Sequence, residues 1–176
     1  MLHCRVASQC LSRDPGAVSF ANKSLTGATD SGLTGSQITI AEGKNCNTYT
    51  SAGYGPLTKQ GEMVSGISIE AVRDSFYAAN SLELALYNLL TTRAKTPFNE
   101  SGRQLLLSTG NGVVQRMISE GVFDPDADEV NQFIVPEIAD LDPDDVAARN
   151  YADCQLVATH LSSMVKVTIT ADVSVS

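Results

Sequence analysis

The chain has 176 residues, of which 43% are hydrophobic and 18% charged, a composition that excludes a wholly disordered chain, a collagen-like repeat and a disulfide-stapled miniprotein. Twenty acidic against twelve basic residues give a net charge of −8. An acidic surface repels phosphates, so direct binding to nucleic acid is disfavoured. With no apolar run of 18 residues and no signal-peptide pattern, we expect neither membrane insertion nor export, and production in a reducing cytoplasm.

The N-terminal part of the chain is rich in Ser, Thr, Gly and Asp. We expect residues 1–37 to form an irregular segment, and residues 38–176 to form a single α+β domain. Where the two meet, Thr34 is followed three positions later by Gln37, which is the spacing of a capping box. This favours a short helix between Leu33 and Lys44.

Two segments flank the turn residues Gly53 to Pro56. Residues 62–72 alternate apolar and polar side chains, with Met63, Ser65, Ile67, Ile69 and Ala71 on one side. Alternation with a period of two is typical of a strand. The sequence therefore predicts a β-hairpin that pairs residues 47–52 with residues 62–72.

The middle of the chain has the period of two amphipathic helices. Asp74 is placed to cap the first, from Ser75 to Arg93, and its expected core face is Phe76, Ala79, Leu82, Leu86, Leu89 and Leu90. After the break at Pro97, Asn99 is expected to cap a second helix that ends before Gly121. The short connection predicts an antiparallel pair, so the fold class is an antiparallel sheet of hairpins packed against two antiparallel helices.

Two glycines interrupt the second predicted helix. Gly110 and Gly112 each weaken a helix by about 1 kcal/mol relative to Ala. We expect them there only if they allow a neighbouring element to approach closely.

Residues 124–150 form an acidic connection. They contain nine acidic residues against the single cation Arg149, so outside this segment the acidic and basic residues are equal in number. The nine are Asp124, Asp126, Asp128, Glu129, Glu137, Asp140, Asp142, Asp144 and Asp145. Within the segment, residues 133–136 favour a short edge strand and residues 142–145 a short helical turn.

The last 26 residues alternate most clearly and predict a C-terminal hairpin over residues 151–176, with a returning strand from Met164 to Ser176. A strand of 13 residues exceeds the usual five or six. Such an edge either pairs within the chain or adds to the sheet of another molecule. The predicted subunit-interaction residues are those on its apolar face, namely Val165, Val167, Ile169, Ala171, Val173 and Val175.

The sequence predicts no catalytic, cofactor-binding or metal-ligating residue. The four cysteines lack a CxxC spacing, so no zinc pattern is present. Asp124, Asp126 and Asp128 have the oxygen spacing of a calcium loop, but Gly and Glu are missing at the later positions that such a loop requires. His160 is interpreted as a packed residue, because no nucleophile and no orienting acid can be identified for it.

Five landmarks occur in a characteristic order over about residues 11–176. They are Asp14–Gly16 with Phe20 and Lys23–Leu25; Lys44–Tyr49; Gly61–Glu62 with Ser65–Gly66; Lys95–Gly102; and Val165–Val175. Their order and spacing resemble the carboxy-terminal portion of the contractile phage tail sheath proteins.

This resemblance implies a non-enzymatic structural subunit of a phage or prophage virion, self-associating in stacked rings around a tail tube protein. It implies the tube-proximal α+β domain of that family, in which terminal arms exchange strands between subunits. The chain departs from the pattern because a full sheath subunit is much longer and the region before Ser12 is missing. Three alternatives therefore stay open: another tail or baseplate accessory protein, a small monomeric binding module, and a small hydrolase using His160.

Overall fold

The computed structural model describes residues 2–51 and 55–167, with side chains from residue 4 onward. Five α-helices, one 3-10 turn and two separate two-stranded antiparallel sheets make this part of the chain an α+β protein, which confirms the predicted fold class. Where the sequence predicted one domain over 38–176, the chain divides into two compact units. Unit 1 contains the described residues of 1–12, 19–69 and 162–176, and unit 2 contains 13–18 and 70–161.

Unit 1 begins with helix α1, Leu2–Leu11, where the sequence predicted an irregular segment over 1–37. The helix is fixed by contacts that are distant in sequence. Cys10 is fully buried, and the Gln9 side chain donates a hydrogen bond to the Ser24 carbonyl at 2.9 Å. The apolar stripe of α1 is too short to be distinguished from loop sequence by its period alone.

Helix α2, Gly35–Glu42, confirms the predicted helix and its cap. The Gln37 N–H donates to Thr34 Oγ1 at 3.4 Å, and the Thr34 N–H donates to Gln37 Oε1 at 2.9 Å. These reciprocal bonds satisfy donors that a helix N-terminus otherwise leaves unpaired.

The first hairpin uses a different partner from the predicted one. Strand β1, Tyr49–Ser51, pairs with β2, Pro56–Thr58, so the predicted pairing of 47–52 with 62–72 is wrong. Residues 62–68 instead make a tight turn closed by the bridge between Glu62 and Ser68. Their alternation has no buried face, because Met63, Val64 and Ile67 are all exposed.

The helix pair of unit 2 is present as predicted. Helix α3 spans Ile69–Thr92 and helix α4 spans Glu100–Ser119. They run antiparallel, since the Tyr77 hydroxyl near the start of α3 donates to Glu120 Oε2 at the end of α4, at 2.9 Å. Asn99 caps α4 by accepting the Gly102 N–H, and Gly121 follows it with a positive φ of 77°, as predicted.

The start and the core face of α3 differ from the prediction. Asp74 is not a cap but a buried residue inside the helix, which begins five residues earlier. Ala78 packs into the core with Val114 and Met117 of α4. Phe76 is 73% exposed and Leu90 is exposed as well, so α3 is apolar on two opposite sides and its period alone could not identify the buried one.

The second sheet joins the acidic connection to the C-terminal part of the chain. Strand β3, Gln132–Ile134, pairs with β4, Gln155–Val157. Helix α5, Pro143–Ala148, lies between them in the sequence and begins where the helical turn over 142–145 was predicted. Asp142 caps it by accepting the Asp144 N–H. The predicted hairpin within 151–176 is wrong for the described residues, because β4 takes β3 as its partner and residues 161–167 form no strand. Residues 168–176 lie outside the described part.

Gly110 of α4 allows strand β3 to approach the helix closely, as expected for a glycine inside a helix. Gly110 is buried directly beneath the ring of Phe133 on β3, and a Cβ added there would overlap the ring. Gly112 faces open space, with no atom within 4 Å of such a Cβ. The first glycine is therefore required by packing and the second is not.

We expect Gly110→Ala to lower the free energy of unfolding by about 1–3 kcal/mol, because a methyl group would displace a buried ring. The matched control, Gly112→Ala, should raise it by up to about 1 kcal/mol, because only helix propensity changes. Urea unfolding of both variants measures the difference. Equal effects of the two substitutions would contradict this account of Gly110.

Candidate functional site

The segment after β4 is the part of the described chain that matches the predicted interaction site. Phe123 and His160 form a bridge, and the Leu161 N–H donates to the Val122 carbonyl at 3.0 Å. Beyond this point residues 161–167 belong to no helix or strand. Asn22 Nδ2 holds the segment within unit 1 by donating to the Val165 carbonyl at 2.8 Å.

The apolar side chains of this segment face solvent. Met164 is 80% exposed and Val167 is 67% exposed. Val165, which the sequence placed on the interaction face, is also exposed. The other four predicted site residues, Ile169, Ala171, Val173 and Val175, lie outside the described residues. The structure thus leaves exposed apolar side chains at the described part of the predicted site.

His160 contacts one acidic side chain of unit 2. Its Nε2 lies 3.1 Å from Asp74 Oδ2, and Asp74 Oδ1 accepts the Gly16 N–H at 3.1 Å. The Asp74 side chain is only 5% exposed. Sequence reasoning missed this acid because 86 residues separate it from His160, and no local pattern reports such a contact.

This pair does not make a recognisable catalytic arrangement. A nucleophile must lie within hydrogen-bond reach of the base that activates it. In the part of the chain that the structure describes, the side-chain partner of His160 is the Asp74 carboxylate, which is neither a hydroxyl nor a thiol. The geometry instead ties residue 160 and the loop at Gly16 to helix α3.

Raised pKa values favour the neutral forms of one thiol and two phenols in unit 2. Burial, with a smaller effect of the neighbouring Asp153, raises the pKa of the Cys154 thiol. The hydrogen bond to Glu120 raises the pKa of the Tyr77 hydroxyl. Burial likewise raises the pKa of Tyr151. A raised pKa lowers the thiolate or phenolate fraction at neutral pH, which is the opposite of what a nucleophile needs.

The acidic connection lacks internal neutralisation within the described residues. Elsewhere in unit 2, ion pairs join Arg103 to Glu100, Arg116 to Glu120, and His160 to Asp74. None involves the nine acidic residues of 124–150. No group of three His, Cys, Asp or Glu side chains in the described part is arranged to hold a metal ion.

Among the described helices, none combines the length and the apolar character that crossing a membrane requires.

Comparison with solved structures finds chains of similar fold. No family model and no curated protein sequence matches the chain. Its fold is similar to that of a chain in the "Cryo-EM structure of the anti-feeding prophage (AFP) baseplate, 6-fold symmetrised", with a TM-score of 0.73 and 13% sequence identity. The match covers 97% of this chain and 48% of that one, so this chain spans about half the length of the chain it matches. At this identity the likeness establishes the fold alone.

We expect Asp74→Ala to lower the free energy of unfolding by about 2–3 kcal/mol, because the Gly16 N–H and the His160 ring lose a buried acceptor. Asp74→Asn should cost less, since its amide oxygen can still accept one of these bonds. Thermal and urea unfolding measure both variants. Identical losses for the two substitutions would show that the hydrogen bonds are not what Asp74 contributes.

Proposed function

We propose that the chain is a non-enzymatic structural subunit of a contractile phage or prophage tail sheath, self-associating around a tail tube protein in the virion tail. The observation that carries the proposal is the fold likeness, over 97% of this chain, to a chain of a prophage baseplate structure. The landmark residues found in the sequence support the sheath over other tail components. The subunit would be produced in the host cytoplasm.

The exposed segment 161–167 supplies a means of assembly. A segment that belongs to no sheet of its own chain can add as a strand to the sheet of a neighbouring molecule, where main-chain hydrogen bonds give affinity and alternate side chains give specificity. Val165 and Val167 would then be covered by a second subunit, continuing into Ile169, Ala171, Val173 and Val175. Their exposure in the single chain is consistent with a surface that is completed only in the assembly.

A second candidate function is a baseplate or other tail accessory role. The specific observation in its favour is that the similar chain belongs to a structure described as a baseplate. A monomeric binding module has no specific observation in its favour. A hydrolase using His160 is less well supported, because the acidic partner of His160, Asp74, is buried in a structural contact.

Copy number separates the two tail roles. We expect that, in tail particles purified from cells producing this chain with its accompanying tail proteins, its amount will be comparable to that of the tube protein. Rings stacked along the tube require this, whereas a baseplate component is present in a small fixed number. Quantitative mass spectrometry of particles of different tail length measures the ratio. A copy number independent of tail length would favour the baseplate role, and absence from particles would contradict both.

We expect deletion of residues 170–176 to abolish self-association while leaving a folded protein, because the strand-donating segment would be shortened and the described core left intact. Light scattering over a range of concentrations measures association, and circular dichroism checks folding. Ile40→Ser on α2 is the matched control, since Ile40 is an exposed apolar residue of the same unit. Normal assembly of the truncated chain would contradict the role of this segment.

A further inference from the structure

The outward side of helix α3 carries a row of exposed apolar residues that the fold does not use. Phe76 is 73% exposed and Tyr87 is 62% exposed, and Leu84 and Leu90 are also exposed. In a helix of 3.6 residues per turn these positions lie on the side opposite the buried Ala78, and the exposed Glu83 lies among them near the middle of the row. We call these four residues the α3 outer face.

The α3 outer face ends at two cations. Arg93 and Lys95 are both exposed, and no acidic residue occurs between Glu83 and Glu100. Neither cation belongs to an ion pair of the described residues. One end of unit 2 is therefore apolar and basic, although the unit as a whole contains 16 acidic and seven basic residues.

A surface of complementary character follows helix α4. Asp126, Asp128 and Glu129 are exposed beside Val130, which is 71% exposed. We call residues 126–130 the acidic loop. It is held near the end of α4, because the Asn131 side chain donates to the Asp124 carbonyl at 2.6 Å and the Val122 N–H donates to the Met117 carbonyl at 2.9 Å.

The two cations and the acidic loop lie at opposite ends of α4. Arg93 and Lys95 precede its first residue, Glu100, whereas the acidic loop follows its last, Ser119. A helix of 20 residues is about 30 Å long, and the screening length at physiological salt is about 8 Å. The cations and the acidic loop of one chain therefore cannot neutralise each other.

We infer that Tyr87 and Leu90, at the C-terminal end of the α3 outer face, dock with the two cations onto the acidic loop of a second copy of this chain. This inference rests on the proposed function and names the contact between its subunits. The two surfaces are different and lie far apart on the same unit, so the contact is head-to-tail, and repetition produces a ring or a filament rather than a closed dimer. Apolar contact with Val130 supplies burial, while opposite charges set the register.

The test is a pair of charge reversals whose effects cancel on mixing. In the first variant, Arg93→Glu and Lys95→Glu replace the two cations beside the α3 outer face with acidic residues. In the second, Asp128→Lys and Glu129→Lys make the acidic loop basic. We expect each double variant alone to associate at least about tenfold more weakly than the native chain, because like charges then meet. An equal mixture of the two should recover association, since every contact in an alternating assembly again pairs opposite charges.

Sedimentation velocity at low and high salt measures association, and thermal unfolding of each variant checks the fold. Native association should weaken as salt rises. Tyr87→Ser should also weaken it about tenfold, whereas Ile40→Ser on the unrelated helix α2 should leave it unchanged.

Three results would overturn the inference: undiminished association of the charge-reversed variants, failure of the mixture to recover, or a native chain that stays monomeric and associates only with another tail protein. The copy number in particles distinguishes this failure from failure of the proposed function. If the charge-reversed chains enter tail particles as the native chain does, the contact is wrong and the structural role stands. If the native chain is absent from particles, the role itself fails.

Discussion

The contact of helix α4 with strand β3 at Gly110 is the constraint on which the arrangement of unit 2 depends. Phe133 lies where a side chain at position 110 would otherwise be, and its N–H donates to Asn111 Oδ1 at 2.9 Å. Strand β3 holds β4 in register, and β4 leads to His160 and the segment that continues into unit 1. Because Gly110 has no side chain, Phe133 can pack against α4 at that point. The position of β3 then fixes β4 and the start of the C-terminal segment.

Signals contained within a few residues could be read from the sequence, and those that depend on distant partners could not. The capping bonds of Thr34 and Asn99 join residues three apart, so spacing predicts them. The partner of β1 and the partner of β4 are chosen by burial across the fold, which alternation does not encode. Of the predicted site, Val165 and Val167 are exposed as an interface requires. Part of the predicted core face of α3 is instead exposed, because helical period identifies an apolar side without saying whether the fold covers it.

The excess of acidic residues lies in unit 2, which contains the acidic connection. Unit 2 contains 16 acidic and seven basic residues, whereas the sequence of unit 1 contains four and five. Nine of the acidic residues lie in 124–150, without an ion pair in the described part of the chain. Charges of one sign repel wherever acidic surfaces meet. The proposed assembly would therefore have to bring cations against them.

Each unit carries an apolar surface that its own core leaves uncovered, the segment 161–167 in unit 1 and the α3 outer face in unit 2. Isolated exposed apolar residues are ordinary, but a row along one helix face and several within one short segment are typical of interfaces. A subunit that polymerises needs at least two unlike surfaces, because a single self-complementary one closes on itself as a dimer. Two surfaces of different chemistry, one main-chain and one charged and apolar, meet that requirement and can respond separately to salt.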